Sequence, residues 1–319
     1  MAREALLDRR AISLGGVAVA LSACAPKPRR LARLRIGYQK SGVLLSAKSR
    51  GMIGKALPGT RLEWALFPSG PPMLEAMAAD AVDFGATGDT PPIFAQAAGA
   101  PLVYAASQPL TGQGEAVITP AGSSLASPKD LKGRRVAVTR GSSSHLLLIR
   151  ALNSAGLKLS DITVVFLSPG DAAGAFASGG IDAWAIWDPF LALAMRDQKA
   201  RILISGAALP ASDAFYLASA SLARDAPDVL REFLEALRAE CVWGNTHPAE
   251  MVQIIAGASR LPPDVVLTSL RRGPLAVEPM TAPVIARQQA AADIFAGLHI
   301  IPKSVEVAEA VWREWRPKT

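Results

Sequence analysis

Apolar and polar positions alternate in two different periods along this chain. Leu34–Gln39 (LRIGYQ) reads as a buried strand that ends at a turn around Ser41-Gly42, followed by a helix to about residue 50. Arg61–Phe67 alternates with period two and predicts a second strand. Pro71-Pro72 opens a helix, because proline suits the first helical turn, and Leu74, Met77, Ala78 and Ala81 fall on one face. Val82–Ala86 is a short third strand. This alternation of strand and helix predicts a mainly parallel sheet covered on both faces.

The pattern then recurs about 100 residues on. Arg135–Arg140 (RVAVTR) mirrors Arg35–Lys40 (RIGYQK), and Ile181–Asp188 (IDAWAIWD) mirrors Val82–Asp89 (VDFGATGD) at an offset of 99. Each copy ends in a loop carrying Asp and Pro. The implied architecture is α/β: two similar lobes facing each other across a cleft, with ligand-facing loops at the strand carboxyl ends. From about residue 222 the chain turns helical. Pro227 starts a helix with Leu230, Phe233, Leu234, Leu237 and Cys241 on its apolar face, which makes Cys241 a core thiol. Further helices follow Pro248, Pro262-Pro263 and Pro283, and this region is expected to clad the first lobe. The expected division is 34–118 with 214–319 as the first lobe and 119–213 as the second.

The chain has 319 residues, half of them hydrophobic, ample for a two-lobed core. Its formal charge is +7, which suits an anionic partner. No basic stripe interleaved with aromatics is present, so nucleic acid is excluded as the partner. Residues 1–24 read as an export signal: Arg9 and Arg10, then the apolar run 11–21, then Leu21-Ser22-Ala23-Cys24. The small residues before Cys24 resemble a lipobox with Cys24 lipidated; the alternative is an ordinary cleaved signal. Arg9-Arg10 also resembles a twin-arginine signal loosely. Residues 25–33 read as a basic tether. The expected location is the periplasm or envelope surface, lipid-anchored to a membrane.

Candidate chemistry lies at helix starts. Gly141-Ser142-Ser143-Ser144-His145 follows a strand and precedes the apolar helix Leu146–Ala155, and unpaired N–H groups at such a start attract anions. His145 either donates to an anion or caps the helix. Ser69-Gly70-Pro71-Pro72 and Thr87-Gly88-Asp89-Thr90-Pro91-Pro92 repeat the logic; Asp89 caps its helix or meets a cationic or hydroxyl group of the ligand. Trp184 and Trp187, three apart on a strand, face opposite sides, and Trp187 is assigned to the cleft with Asp188. Gln39 ends the first strand as an amide donor. The three histidines are scattered, and no metal cluster, P-loop or GxSxG is present, so no cofactor or metal is expected. Neutral donors without a nucleophile and base describe binding better than catalysis.

GYQKSG (37–42), FPSGPPMLEAM (67–77), DFGATGDTPPIFAQAAG (83–99), GSSSHLLLIRAL (141–152) and IDAWAIWDPF (181–190) resemble the periplasmic aliphatic-sulfonate-binding proteins of ABC importers. The resemblance implies a type II periplasmic-binding-protein fold closing by a hinge, and a sulfonate held at Gln39, Ser69, Gly70, Thr87, Gly88, Ser142, Ser143 and Trp187. It implies a monomer that hands a small organic anion, an alkanesulfonate, taurine or nitrate, to a permease and its ATPase. Taurine would need an acid for its amine, with Asp89, Glu115 and Asp188 as candidates. The alternatives are a desulfinase-like enzyme on the same fold, which would use a cysteine nucleophile near the cleft where Ser41-Gly42 stands, and a ligand sensor.

Overall fold

The computed structural model describes residues 31–317, so the signal, Cys24 and most of the tether lie outside the described residues. In chain order the strands are β1 (Arg33–Tyr38), β2 (Arg61–Leu66), β3 (Phe84–Thr87), β4 (Leu102–Pro109), β5 (Glu115–Thr119), β6 (Arg135–Val138), β7 (Thr163–Phe166), β8 (Ala183–Trp187), β9 (Arg201–Ser205) and β10 (Asp213–Ser219). The helices are α1 (Val43–Arg50), α2 (Met52–Ala56), α3 (Gly70–Ala78), α4 (Thr90–Ala97), α5 (Ser143–Ser154), α6 (Pro169–Ala177), α7 (Phe190–Asp197), α8 (Ala220–Asp225), α9 (Pro227–Thr246), α10 (Pro248–Ser259), α11 (Pro263–Arg271) and α12 (Ala282–Gly297).

Among the described residues the strands form two five-stranded sheets, ordered β2-β1-β3-β10-β4 and β7-β6-β8-β5-β9. Within each, three strands run parallel: β1 beside β2 and β3, and β6 beside β7 and β8. The remaining pairings are antiparallel, through β10 in the first sheet and β5 in the second. The sequence repeat is therefore a repeat of topology. It also reveals a shared device. The aspartate just before β3 or β8 accepts the backbone N–H of an arginine in the neighbouring parallel strand, at 2.7 Å in both copies, Asp83 with Arg35 of β1 and Asp182 with Arg135 of β6. The same carboxylates also take each arginine's guanidinium. This ties the start of β1 to β3, and of β6 to β8.

The chain crosses between sheets after β4 and returns after β9. Because β5 already belongs to the second sheet, the expected cut between 118 and 119 falls inside that strand; the crossing lies near residues 110–114. The tether also ends earlier than expected, with Arg33 opening β1. Helix α3 is a further correction: it stops at Ala78 and buries Met73, Leu74 and Met77, while Ala78 and Ala81 are exposed. Met73 fills the space above Gly37 and Gly85, which rotates the buried face by one residue.

The C-terminal helices cover the first sheet. Val229, Leu230, Phe233, Leu234, Leu237 and Cys241 of α9 pack with Leu34, Ile36 and Phe84 on one face. Val284, Ala291 and Phe295 of α12 pack with Met73, Ile93 and Leu217 on the other. One helix does more than clad: α11 also meets α7 of the second lobe. No helix among the described residues is long and apolar enough to cross a membrane.

Candidate functional site

A cavity of about 300 Å³ opens between the lobes. That volume is at the lower end of small-molecule pockets. Its lining divides into a polar patch and an apolar one.

The polar patch gathers around the end of β3. Gln39, at the end of β1, donates its amide to the carbonyl of Ala86 at 3.2 Å. Gly70, which begins α3, lies so near that a Cβ there would stand 3.0 Å from Thr87. Gly88 faces Ser143 across the cleft, where a Cβ would stand 2.7 Å from that serine's own Cβ. Gln39, Gly70, Thr87, Gly88, Ser142, Ser143, Trp187 and Asp188 all line the cavity. Ser142 is the N-cap residue of α5, yet its hydroxyl donates to the Thr139 carbonyl at 2.7 Å instead of capping the helix. Beyond it the His145 N–H donates back to the Ser142 carbonyl at 2.9 Å, and the start of the helix carries the positive end of its dipole. Ser143, half-buried, is the hydroxyl of that loop best placed to meet a ligand.

Four of the expected residues are not in the lining. Ser69 is buried behind Gly70 at the N-cap of α3. Asp89 and Thr90 are buried and bond each other, hydroxyl to carboxylate, at 2.8 Å. Asp89 occupies the N-cap position of α4 without a side-chain cap bond, and burial pushes its carboxyl up to about 6. It faces a small crevice with Arg150, Asp213 and Arg287 rather than the cleft. His145 is 1% exposed and sits among the rings of Phe94, Phe166 and Phe295. Phe94 and Phe295 belong to the first lobe and Phe166 to the second, so this imidazole is a packing element between lobes. Burial, with Arg140 nearby, drives its pKa down to about 4, which keeps it neutral. Neither role expected of it, anion donor or helix cap, fits; its Nδ1 instead accepts the Gly141 N–H.

The tryptophans divide as expected: Trp184 is 1% exposed and packs on Phe176, while Trp187 reaches the cavity. Asp188 is paired with Arg272 at 2.6 Å, side chains 13% and 14% exposed. Burial raises the Asp188 carboxyl and Arg272 opposes that rise. Arg272 follows α11, so this pair spans the lobes, as does Arg196 with Asp264 at 3.1 Å. Glu115 also lines the cavity, and burial beside Asp89 pushes it up to about 8. Sequence reasoning missed Arg272 and the apolar patch from α10, α11 and the loop after them. The only local sign was an Arg271-Arg272-Gly273-Pro274 helix end. Cys241, the free cysteine among the described residues, is 2% exposed, is absent from the lining, and its thiol is pushed up to about 12 by burial. No cluster among the described residues suits a metal ion.

Two sheet-bearing lobes around a cleft lined by helix starts define the architecture of a solute-binding protein. This chain belongs to the NMT1/THI5-like family, whose model matches residues 66–251. It is 39% identical over 282 residues, 88% of each chain, to a protein of Escherichia coli strain K12 named for binding aliphatic sulfonates. Among solved structures it resembles the alkanesulfonate-binding protein of Xanthomonas axonopodis pv. citri bound to MOPS. That likeness has a TM-score of 0.86 and 42% identity, over 88% of this chain and 98% of that one. A desulfurization enzyme also shares the architecture, at TM-score 0.67 and 17% identity over 88% of this chain and 96% of that one, a likeness of fold alone.

Proposed function

We propose that this protein is the solute-binding component of an ABC importer, that it captures an aliphatic sulfonate in the periplasm, and that it delivers it to a permease and its ATPase. The observation that carries this reading is the convergence of Gly70, Thr87-Gly88 and Ser142-Ser143 on one patch from both lobes. A sulfonate spreads a single negative charge over three oxygens. It is matched by several neutral donors arriving from different directions, reinforced by helix dipoles. Because the donors sit on both lobes, the ligand favours the closed state and closure should be linked to binding. Ligand-binding roles fall to Gln39, Gly70, Thr87, Gly88, Ser142, Ser143 and Trp187, with Asp188 placed through Arg272. Lipidation of Cys24 would tether the protein to a membrane surface.

A thermal-shift screen against alkanesulfonates, taurine, sulfate, nitrate and matching carboxylates tests the reading, since a ligand of the folded state raises its stability by mass action. Stabilisation by sulfonates above the other anions is expected. Stabilisation by nitrate or carboxylate alone would move the substrate, and silence across the panel would remove the binding role. Mass measurement of the membrane fraction decides the anchor: a diacylglyceryl mass on Cys24 is expected.

A further inference from the structure

A carboxyl group stands in the same cavity as the anion patch. Glu115 opens β5, just after the first crossing between the lobes, and lines the cavity together with Gln39, Thr87, Gly88 and Ser143. It also meets the second crossing. The Ser212 hydroxyl donates to its carboxyl, and a Cβ on Gly206 would stand 3.1 Å from its Oε1. The crossings are themselves tied, with the Leu110 N–H donating to the Ser212 carbonyl at 3.3 Å. Glu115 is thus held in place at the junction of the lobes, half-buried.

The groups around it do not neutralise it. Among the described residues Glu115 forms no ion pair. Asp188, whose Oδ2 would stand 3.6 Å from a Cβ on Gly114, is committed to Arg272 at 2.6 Å, and Asp213 to Arg287 at 2.8 Å. Arg150 of α5 acts on Glu115 but also on Asp89, and its guanidinium donates to the Pro210 carbonyl at 3.2 Å. Two carboxyl groups therefore share one arginine, and Ser212 is a neutral donor.

We propose that anion capture is linked to a proton on Glu115: the cavity holds its anion tightly while this carboxyl is protonated, and ionisation of Glu115 weakens the hold. The proposal rests on the sulfonate reading above. Two negative charges between low-dielectric walls repel more strongly than in water, and a proton on the carboxyl relieves that repulsion. Burial first, then Asp89, pushes the carboxyl up to about 8, so in the empty protein it is mostly protonated at neutral pH. A bound anion raises it further. The sign follows by linkage: affinity is full below about pH 7 and falls as pH rises through about 8, until the occupied protein ionises as well. Asp89, at about 6, and His145, at about 4, have largely finished titrating below this window. A sulfonate stays ionised throughout.

The test is calorimetric titration of hexanesulfonate into the purified protein between about pH 6 and about pH 9, in buffers of different ionisation enthalpy so that proton uptake is counted. The dissociation constant should rise about tenfold from about pH 7 to about pH 9, with uptake approaching about one proton per sulfonate at the alkaline end. Glu115→Gln carries a neutral amide at every pH. It should bind equally well across the range and take up no proton. Ser212→Ala keeps Glu115 but removes a donor that favours its ionised form, so the fall in affinity should move to higher pH. Binding of constant strength in wild type, without proton uptake, would overturn the linkage and leave the sulfonate reading intact. A pH dependence kept in full by Glu115→Gln, or unmoved in Ser212→Ala, would overturn the assignment to Glu115. Absence of binding at every pH would end the sulfonate reading and the proposal with it.

Discussion

Equivalent helix starts in the two copies of the repeat face the same cavity with opposite chemistry. In the first copy, Gly42 is the N-cap residue of α1 and Val43-Leu44-Leu45 open the helix; in the second, 100 residues on, Ser142 is the N-cap residue of α5 and Ser143-Ser144-His145 open it. Both line the cavity, one with aliphatic side chains and one with hydroxyls. Gly42 has φ 83° and no side chain to donate, while Ser142 is extended and fixed to Thr139. Even the fourth positions differ: Leu45 is 3% exposed in an aliphatic core, and His145 is 1% exposed among aromatic rings. A repeated backbone thus yields an asymmetric site, because few side chains at the helix starts decide what each lobe offers.

The aspartate–arginine ties show the opposite: the same aspartate-to-arginine bonds in different surroundings. Arg35 and Asp83 side chains are 19% and 12% exposed, Arg135 and Asp182 48% and 31%. Asp83→Ala leaves the Arg35 backbone N–H without its acceptor and the guanidinium with Asp80 alone, and should cost about 3 kcal/mol in urea unfolding. Asp182→Ala should cost about 1 kcal/mol, since water screens and replaces that pair. Equal losses would mean that burial does not distinguish the two ties.

His145→Leu gives the second helix start the residue of the first. The histidine's folded pKa, about 4, lies below its unfolded value, so the stability tied to its neutral form is present above about pH 6.5 and lost as pH falls toward 4. Asp89 and Glu115 are shifted upward and act in the other direction, so the difference between wild type and variant isolates the imidazole. Relative to the variant, wild type should lose up to about 3 kcal/mol over that window, the linkage equivalent of the shift. A pH-independent difference in unfolding free energy would contradict a neutral, buried His145.

Smaller effects concern the cleft. Ser143→Ala should weaken sulfonate binding by about 2 kcal/mol, the scale of a hydrogen bond to a charged group. Ser142→Ala should cost less, about 1 kcal/mol, because that hydroxyl already donates to Thr139. Gly88→Ala adds a Cβ against Ser143 across the lobes and should raise the dissociation constant about tenfold by opposing closure, a 1.4 kcal/mol effect. An unaltered constant, measured by calorimetry, would show that the lobes do not approach there.

Much of this was legible in the sequence, because period-two and period-3.6 patterns are local and the repeat reported the topology twice. The Trp184/Trp187 division followed from strand alternation alone. The failures have a common cause. Which of several successive residues at a helix start faces the cleft depends on helix rotation, and rotation is set by packing. Thus Gly70 lines the cavity and Ser69 does not, and Thr87 and Gly88 do while Asp89 and Thr90 turn inward. Arg272 and the wall from Leu261 to Leu275 reach the site from over 70 residues beyond Trp187, through tertiary packing that no local period encodes.

The most direct test is titration of hexanesulfonate into wild type and Ser143→Ala, followed by calorimetry at neutral pH. The account predicts saturable one-to-one binding by wild type and a loss of about 2 kcal/mol in the variant. Binding of equal strength to both proteins would contradict an anion held at the start of α5.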